Sequence, residues 1–463
     1  MGEKVFNVRK PTTPHLSVEQ IVFPTYKEGD TVVLFDGDIL AFKVSSVMEY
    51  RFLFTHKQNS DEVYRAKSQK EFKAFLDTKT AKLTEKIFEL SEAGEDVSEL
   101  REEVKFWVYE NFEIEKIQEA EPFEHCAKTL KDAHKRVLET FDTNLSEMYI
   151  GGEDNFRLYL PLEQQYKTSV RAGDIRPIHL TESKEFLCGR RFGGIKIKGR
   201  EADDVLQMRA FQLASQGVRV IMYSNDKDRL QGWYGEYYNP DDMSVIELTS
   251  QLGEITESKK GCGLHWLLFQ MSQGDPIDGY SPKGWYTKEF YRRGFGQKTY
   301  YAAFHDATSV KDLLERWIEV HKTQLLTKEF YEWVAFDGRR VKANWLGIME
   351  LMYSCAYMKL RVDDTTTFRG LCEAFGVDAG EYLFEVREPA EFTDVAWNPE
   401  RSVRDNFALM TRKQQVQVSE NYLVQFDKNG IFNVLCDGEL IFSTNSVKAL
   451  VELKNFEGDK EVK

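Results

Sequence analysis

The chain has no CxxC pair, no histidine and cysteine spacing of metal-ligand type, no apolar run of membrane-span length and no GxxxxGK[ST] phosphate loop. Each absence excludes something. Six cysteines scattered at 126, 188, 262, 355, 372 and 436 make neither a disulfide framework nor a zinc finger, so they read as reduced, packed thiols in a reducing compartment. Without about 20 consecutive apolar residues no helix crosses a bilayer, and the opening MGEKVFNVRK has no signal-peptide core. A soluble, intracellular protein with no membrane partner is expected. The missing phosphate loop argues against a nucleotide hydrolase of that type. Positive charge is also short: 62 Lys and Arg against 76 Asp and Glu leave a net −14, which excludes a globally basic nucleic-acid binder but permits local basic strips.

What is present is a large apolar fraction, 42% of 463 residues, enough for two to four domains, and an unusual grouping of acids. Between Gly199 and Leu230, GREADD supplies Glu201, Asp203 and Asp204, and SNDKD supplies Asp226 and Asp228. Leu206, Ala210, Leu213 and Ala214 recur between them at helical spacing, Gly217 supplies a stop, and VRVIMY reads as a buried strand. Upstream, TVVLFDGDILAF reads as a buried strand that delivers Asp36 and Asp38 to a sheet edge; downstream, QGDPIDGY places Asp275 and Asp278 on one turn. In a parallel sheet such strand ends share one edge, where α/β proteins place their sites. Carboxylates crowded there repel one another unless a cation neutralises them. With no histidine or cysteine nearby, hard oxygen donors point to Mg²⁺ or Mn²⁺. The plainer alternative is that acids at a helix start are caps and that NDKD is an ordinary turn.

The rest of the chain divides by pattern. Residues 1–30 read as a strand-poor lead-in. From about Ser60 to Thr143 the sequence is highly charged with apolar residues at helical spacing (Leu83, Ile87, Leu90; Leu130, Ala133, Val137, Leu138), broken at AGED, and reads as a helical insertion. SEMYIGG reads as a second core strand. GRRFGGIKIKGR carries Arg190, Arg191, Lys196, Lys198 and Arg200 with no acid, which suits a phosphate backbone; its plainer reading is a lysine-guarded strand edge. GFGQKTYYAAF opens a helix, helical pattern continues to about residue 378, and from 388 alternation with Asn429-Gly430 and Asp437-Gly438 indicates a small β-rich appendage.

Taken in order, DGDIL, NFR followed by YK, EADD, SNDKD, GDxxD and GFGQKT resemble the phage and bacterial 5′→3′ exonucleases of the flap endonuclease superfamily, over Asp36 to about Phe304. The resemblance implies an α/β, PIN-like core with a mainly parallel central sheet (31–270) and a helical arch, placed at about 164–189; the interval from Asp36 to Phe156 is long for the family, so the helical insertion at about 60–143 is an addition to that core. The resemblance also implies a helix-two-turn-helix and helical DNA-binding region (271–387); the β-rich domain at 388–463 lies beyond it. The implied activity is metal-dependent hydrolysis of DNA at duplex 5′ ends, flaps or nicks, with replication proteins as further partners and the cytoplasm, a host cell's if viral, as location. Two Mg²⁺ or Mn²⁺ ions are implied: Asp36, Asp203 and Asp154 on one, Asp226, Asp228 and Asp275 on the other, Glu201 between, and Asp204 and Asp278 acting through waters. Tyr166, Lys167 and Arg171 match the catalytic YKxxR element. Arg157 of NFR, with Gly294, Gly296 and Lys298 of the GxGxK turn, a K⁺ site in similar proteins, match DNA contacts.

Three departures stand out. Ile150 replaces an Asp seven residues before Arg157, YKTSVR is one residue longer than YKxxR, and residues 281–293 lengthen the link between GDxxD and GxGxK. The alternatives are an RNA-directed PIN-like nuclease and a non-catalytic nucleic-acid-binding replication scaffold of the same fold.

Overall fold

A strand whose last five residues are all buried must sit inside a sheet covered on both faces, and TVVLFD does. In the computed structural model, residues 13–167, 176–258, 260–288, 295–387, 393–398, 400, 402–411, 414–418, 421–427 and 430–451 are described. The central sheet comprises β1 (His15–Leu16), β2 (Thr31–Asp36), β3 (Leu145–Asn155), β4 (Ile195–Gly199), β5 (Arg219–Tyr223), β6 (Glu236–Asn239) and β7 (Ser244–Glu247). Their spatial order is β1-β4-β3-β2-β5-β6-β7, parallel throughout except for the β6–β7 pair. β2 lies at the centre, with Val32 opposite Leu145 on one side and Val220 on the other. The chain leaves β2 toward β3 and later returns to β5 on its opposite flank, which creates a crevice at the carboxyl edge.

The core on one face joins Val33, Phe35, Leu40, Val44, Leu130, Met148, Ile150, Leu187 and Ile221. Ile150 is fully buried there, so the position where the resemblance expects an acid is a packing position. Helix Leu180–Leu187 buries Ser183 and Leu187, so this part of the expected arch packs on the core; residues 168–175, the rest of its centre, lie outside the described residues.

The expectation of an all-helical insertion needs correction. Helices Gln69–Glu92, Ser98–Phe106 and Phe123–Thr140 are present, but Glu49–His56, Asn59–Ala66 and Phe112–Ala120 form an antiparallel three-stranded sheet. One edge strand, FEIEKIQEA, buries only Phe112, so its charged residues mimic a solvated helix in sequence. Phe54 and Phe72 stack at 3.8 Å in the insertion's own core beside Leu76, Trp107 and Phe112. Likewise, the stretch expected to be helical to 378 includes the strands Tyr331–Val334 and Arg340–Ala343.

The chain divides into two compact units, one of 1–160, 164–331 and 344–383, the other of 161–163, 332–343 and 384–463. The second holds a five-stranded sheet of Thr393–Asp394, Gln414–Gln417, Tyr422–Phe426, Phe432–Cys436 and Glu439–Thr444. Its core is Phe407, Val416, Val424, Phe432, Val434 and Leu450. Asp437 and Gly438 both have positive φ, as a two-residue hairpin joining antiparallel strands requires; Asn429 of the other expected hairpin lies outside the described residues.

Candidate active site

Asp36 ends β2 and caps the next helix, Gly37–Val47: its Oδ1 accepts from the amides of Asp38 and Ile39 at 3.1 Å, and its Oδ2 from Ser224 Oγ at 3.2 Å. Ser224, just past β5, also accepts from the Asp226 amide at 3.0 Å, and Asp226 in turn accepts from the Asp228 amide at 2.9 Å. A chain of short-range caps therefore carries the acids of two adjacent strands into one crevice. The helix Ala202–Ser215 brings Asp203 and Asp204 in its first turn, with Glu201 at the cap position. Asp275 and Asp278 come from a turn closed by the Asp275 amide donating to Tyr280 O at 2.9 Å. Gly274 enters that turn at φ +72°, and a Cβ there would collide with the Tyr280 carbonyl.

The crevice supplies its own cations. Arg157 is fully buried and clamps Asp204 in a fork, at 2.7 and 2.9 Å, with Glu201 at 3.1 Å. Its remaining donors meet the carbonyls of Cys355 and Tyr357 at 3.0 and 2.7 Å. Lys167 donates to Glu201 and lies 3.6 Å from Asp278. Its backbone is held at φ +59° while its amide donates to Asp278 O at 2.8 Å. Tyr166, also buried, donates to Asp278 at 2.8 Å. Lys227 reaches Asp275 at 3.2 Å, and Arg229 pairs with Asp203 and approaches Asp36 to 3.8 Å.

Electrostatics separate these acids. Burial pushes the carboxyl of Asp204 up, but the charge and hydrogen bonds of Arg157 outweigh it and hold Asp204 below the usual carboxylate range. Asp36 is raised well above that range by burial and by Asp203, against Arg229. Asp226 is raised by burial and Asp203, and Asp228 well raised by burial and then Asp226, Asp278 and Asp275. Asp278 is pushed up to about 6, mostly by burial, with Lys167 opposing. Burial also works against the charge of Lys167, yet Glu201 and Asp278 outweigh it and raise its proton affinity.

Eight of the expected acids, Asp36, Glu201, Asp203, Asp204, Asp226, Asp228, Asp275 and Asp278, thus interact in one place, with Tyr166 and Lys167 among them. Asp154 does not join them; it is exposed, at φ +66°, and accepts from Tyr159 at 2.7 Å. Arg157, expected to contact DNA, is instead a buried counter-ion, because only a cation makes Asp204 tolerable inside the protein. Lys196 is buried and paired with Glu185, whereas Arg190, Arg191 and Lys198 are exposed. Gly296 caps the helix Gln297–Phe304 and Lys298 is exposed on it; Arg171 and Gly294 lie outside the described residues.

Sequence reading missed Arg229, Lys227, Ser224 and Gln270, which donates to Asp228. The signal for the first two was adjacency alone, in NDKDR. Among the described residues no three His, Cys, Asp or Glu side chains already form a metal cage. The fit to a divalent ion divides. Asp226, Asp228, Asp275 and Asp278 are all-oxygen donors whose charge Lys227 matches only in part. The space between Asp36 and Asp203 is served by Arg229 and does not fit an ion as it stands.

No family model matches the chain, and no curated protein matches it. Among solved structures, it is similar to a bacteriophage T5 protein co-crystallised with metal ions (TM-score 0.35, 12% identity, covering 61% of this chain and 78% of that one). A variant of the T5 5′-exonuclease matches with TM-score 0.34 and 13% identity, over 62% and 76% of the two chains. The T5 flap endonuclease in a pseudo-enzyme-product complex with DNA and metal ions matches with TM-score 0.37 and 11% identity, over 61% and 78%.

Proposed function

We propose that the chain is a PIN-like, structure-specific 5′ nuclease that hydrolyses DNA phosphodiester bonds near free 5′ ends, flaps or nicks with the aid of a divalent metal ion. The observation that carries this is the gathering of eight carboxylates and Lys167 at the carboxyl edge of a parallel sheet. So repulsive a set costs stability and has value where a metal and a phosphate must be held. Asp226, Asp228, Asp275 and Asp278 would hold Mg²⁺ or Mn²⁺. When bound, the ion supplies Lewis acidity toward water and phosphate oxygen. Lys167, one third exposed beside Glu201, would steady the negative charge that develops on phosphate. Tyr166 positions Asp278, and Arg157 fixes Glu201. Arg190, Arg191, Lys198 and Lys298 would meet the phosphate backbone, which predicts recognition of structure rather than sequence.

The test is product analysis on 5′-labelled duplex, flap, nicked and RNA substrates with Mg²⁺ or Mn²⁺. Short 5′ products from DNA, abolished by Lys167→Ala and by chelator, support the proposal. Cleavage of RNA alone selects an RNA-directed nuclease. The four cations already paired with the crevice acids, Arg157, Lys167, Lys227 and Arg229, favour a second reading, a non-catalytic nucleic-acid-binding replication scaffold, which predicts binding of the same substrates with no product.

A further inference from the structure

Arg229 follows Asp228 directly and turns back into the crevice, where it is fully buried. Its guanidinium donates to both the main-chain carbonyl and the carboxylate of Asp203 and lies 3.8 Å from Asp36, while its Nε has no hydrogen-bond partner among the described residues. The acid ending β2 and the acid opening the helix Ala202–Ser215 therefore face one protein-supplied cation. β3, next to β2, adds no acid there: Ile150 is core, Glu153 lies 3.9 Å from His15, and Asp154 binds Tyr159.

Charge is matched unevenly across the crevice. Arg157 and Lys167 balance Glu201 and Asp204; Arg229 leaves one of the two charges of Asp36 and Asp203 unmatched; Asp226, Asp228, Asp275 and Asp278 together meet only Lys227 at Asp275 and a share of Lys167 at Asp278, so most of their charge is unmatched. A guanidinium stays charged at every working pH, so it repels a divalent ion permanently. Its fork lies against both carboxylates, bonded to Asp203 and 3.8 Å from Asp36.

We infer that Arg229 is a resident cation that takes the place of one divalent ion between Asp36 and Asp203, so that the crevice binds a single Mg²⁺ or Mn²⁺, on the side of Asp226, Asp228, Asp275 and Asp278. This rests on the proposed metal-dependent reading. Titration of the full chain with Mn²⁺, followed by calorimetry and by the free-Mn²⁺ electron paramagnetic resonance signal, should count one ion, and two in Arg229→Gln. Asp36→Asn should keep one ion with its dissociation constant changed less than about threefold, whereas Asp228→Asn should lose it. Two ions in the unaltered chain would overturn the inference and leave the metal-dependent reading standing; no ion would overturn both. One ion in a folded Arg229→Gln, or loss of the ion in a folded Asp36→Asn, would also overturn the inference.

Discussion

On the Arg157 side of the crevice, Asp204 accepts two guanidinium hydrogen bonds and the Lys359 amide at 3.2 Å, and its proton affinity falls. On the other side, Asp228 has the Gln270 amide for a partner and three acids for neighbours, and its proton affinity rises. Both carboxylates are buried, and each stands five residues past the end of a strand of the same sheet, Asp204 after β4 and Asp228 after β5. The difference teaches which acids are structural: a carboxylate that already owns a cation steadies the protein, whereas one held among its like is strained toward an outside cation.

The sharpest way to break that contrast is to remove Arg157. Arg157→Met leaves Asp204 as an uncompensated buried charge and should lower the unfolding free energy by roughly 3 to 5 kcal/mol in urea titrations; a loss under about 1 kcal/mol would erase the distinction. Asp228→Asn should act oppositely. It relieves repulsion, so the ion-free protein gains on the order of 1 kcal/mol, yet metal-dependent cleavage drops roughly a hundred- to a thousandfold through loss of electrostatic stabilisation.

The same contrast predicts a pH response. Asp278 titrates near 6 in the folded protein and near 3.9 unfolded, so the folded state binds the proton more tightly. The Asp278 contribution to the stability of the ion-free protein is therefore lost as pH rises from about 4 to about 6, by on the order of 3 kcal/mol, and Asp36 and Asp228, raised well above the usual carboxylate range, extend the decline to higher pH. Asp204 works the other way, its stabilisation present at high pH and lost as pH falls through acidic values. Thermal melts of Asp278→Asn in chelator should show a shallower decline between about 4 and about 6 than the unaltered chain; an unchanged decline would assign it to the other raised acids, Asp36, Asp226 and Asp228.

The smallest effect concerns the basic strip. Lys198→Ala should weaken DNA binding by less than about 1 kcal/mol and reduce the salt slope by about one. Lys196→Ala should leave that slope unchanged, because Lys196 is consumed by Glu185.

How much of this was legible in the sequence follows from what each residue reveals alone. TVVLFD, VRVIMY and the helix between EADD and NDKD could be read because their apolar periods match the layers that bury them. The positions of the acids could be read from the strand ends that carry them, but not whether they serve as caps, as Asp36 and Asp226 do, or as something more. Arg157 could not: a buried arginine and a phosphate-binding one are the same letter, and only the distance to Asp204, 47 residues away, separates them. The strand Phe112–Ala120 was hidden for a related reason, since glutamate and lysine are common on solvated helices and here line an exposed sheet edge.

The central position of β2 has a consequence for biosynthesis. Its two partners begin at Leu145 and Arg219, more than a hundred residues downstream, so the sheet cannot close until the ribosome has delivered β5. At about 5 to 20 residues per second, that wait is on the order of 10 to 40 seconds. The insertion, whose three strands lie between Glu49 and Ala120, can fold well before then. Until β3 emerges TVVLFD has no strand partner, and until β5 emerges it has only one of its two, so this is the interval in which a chaperone has most to offer the chain.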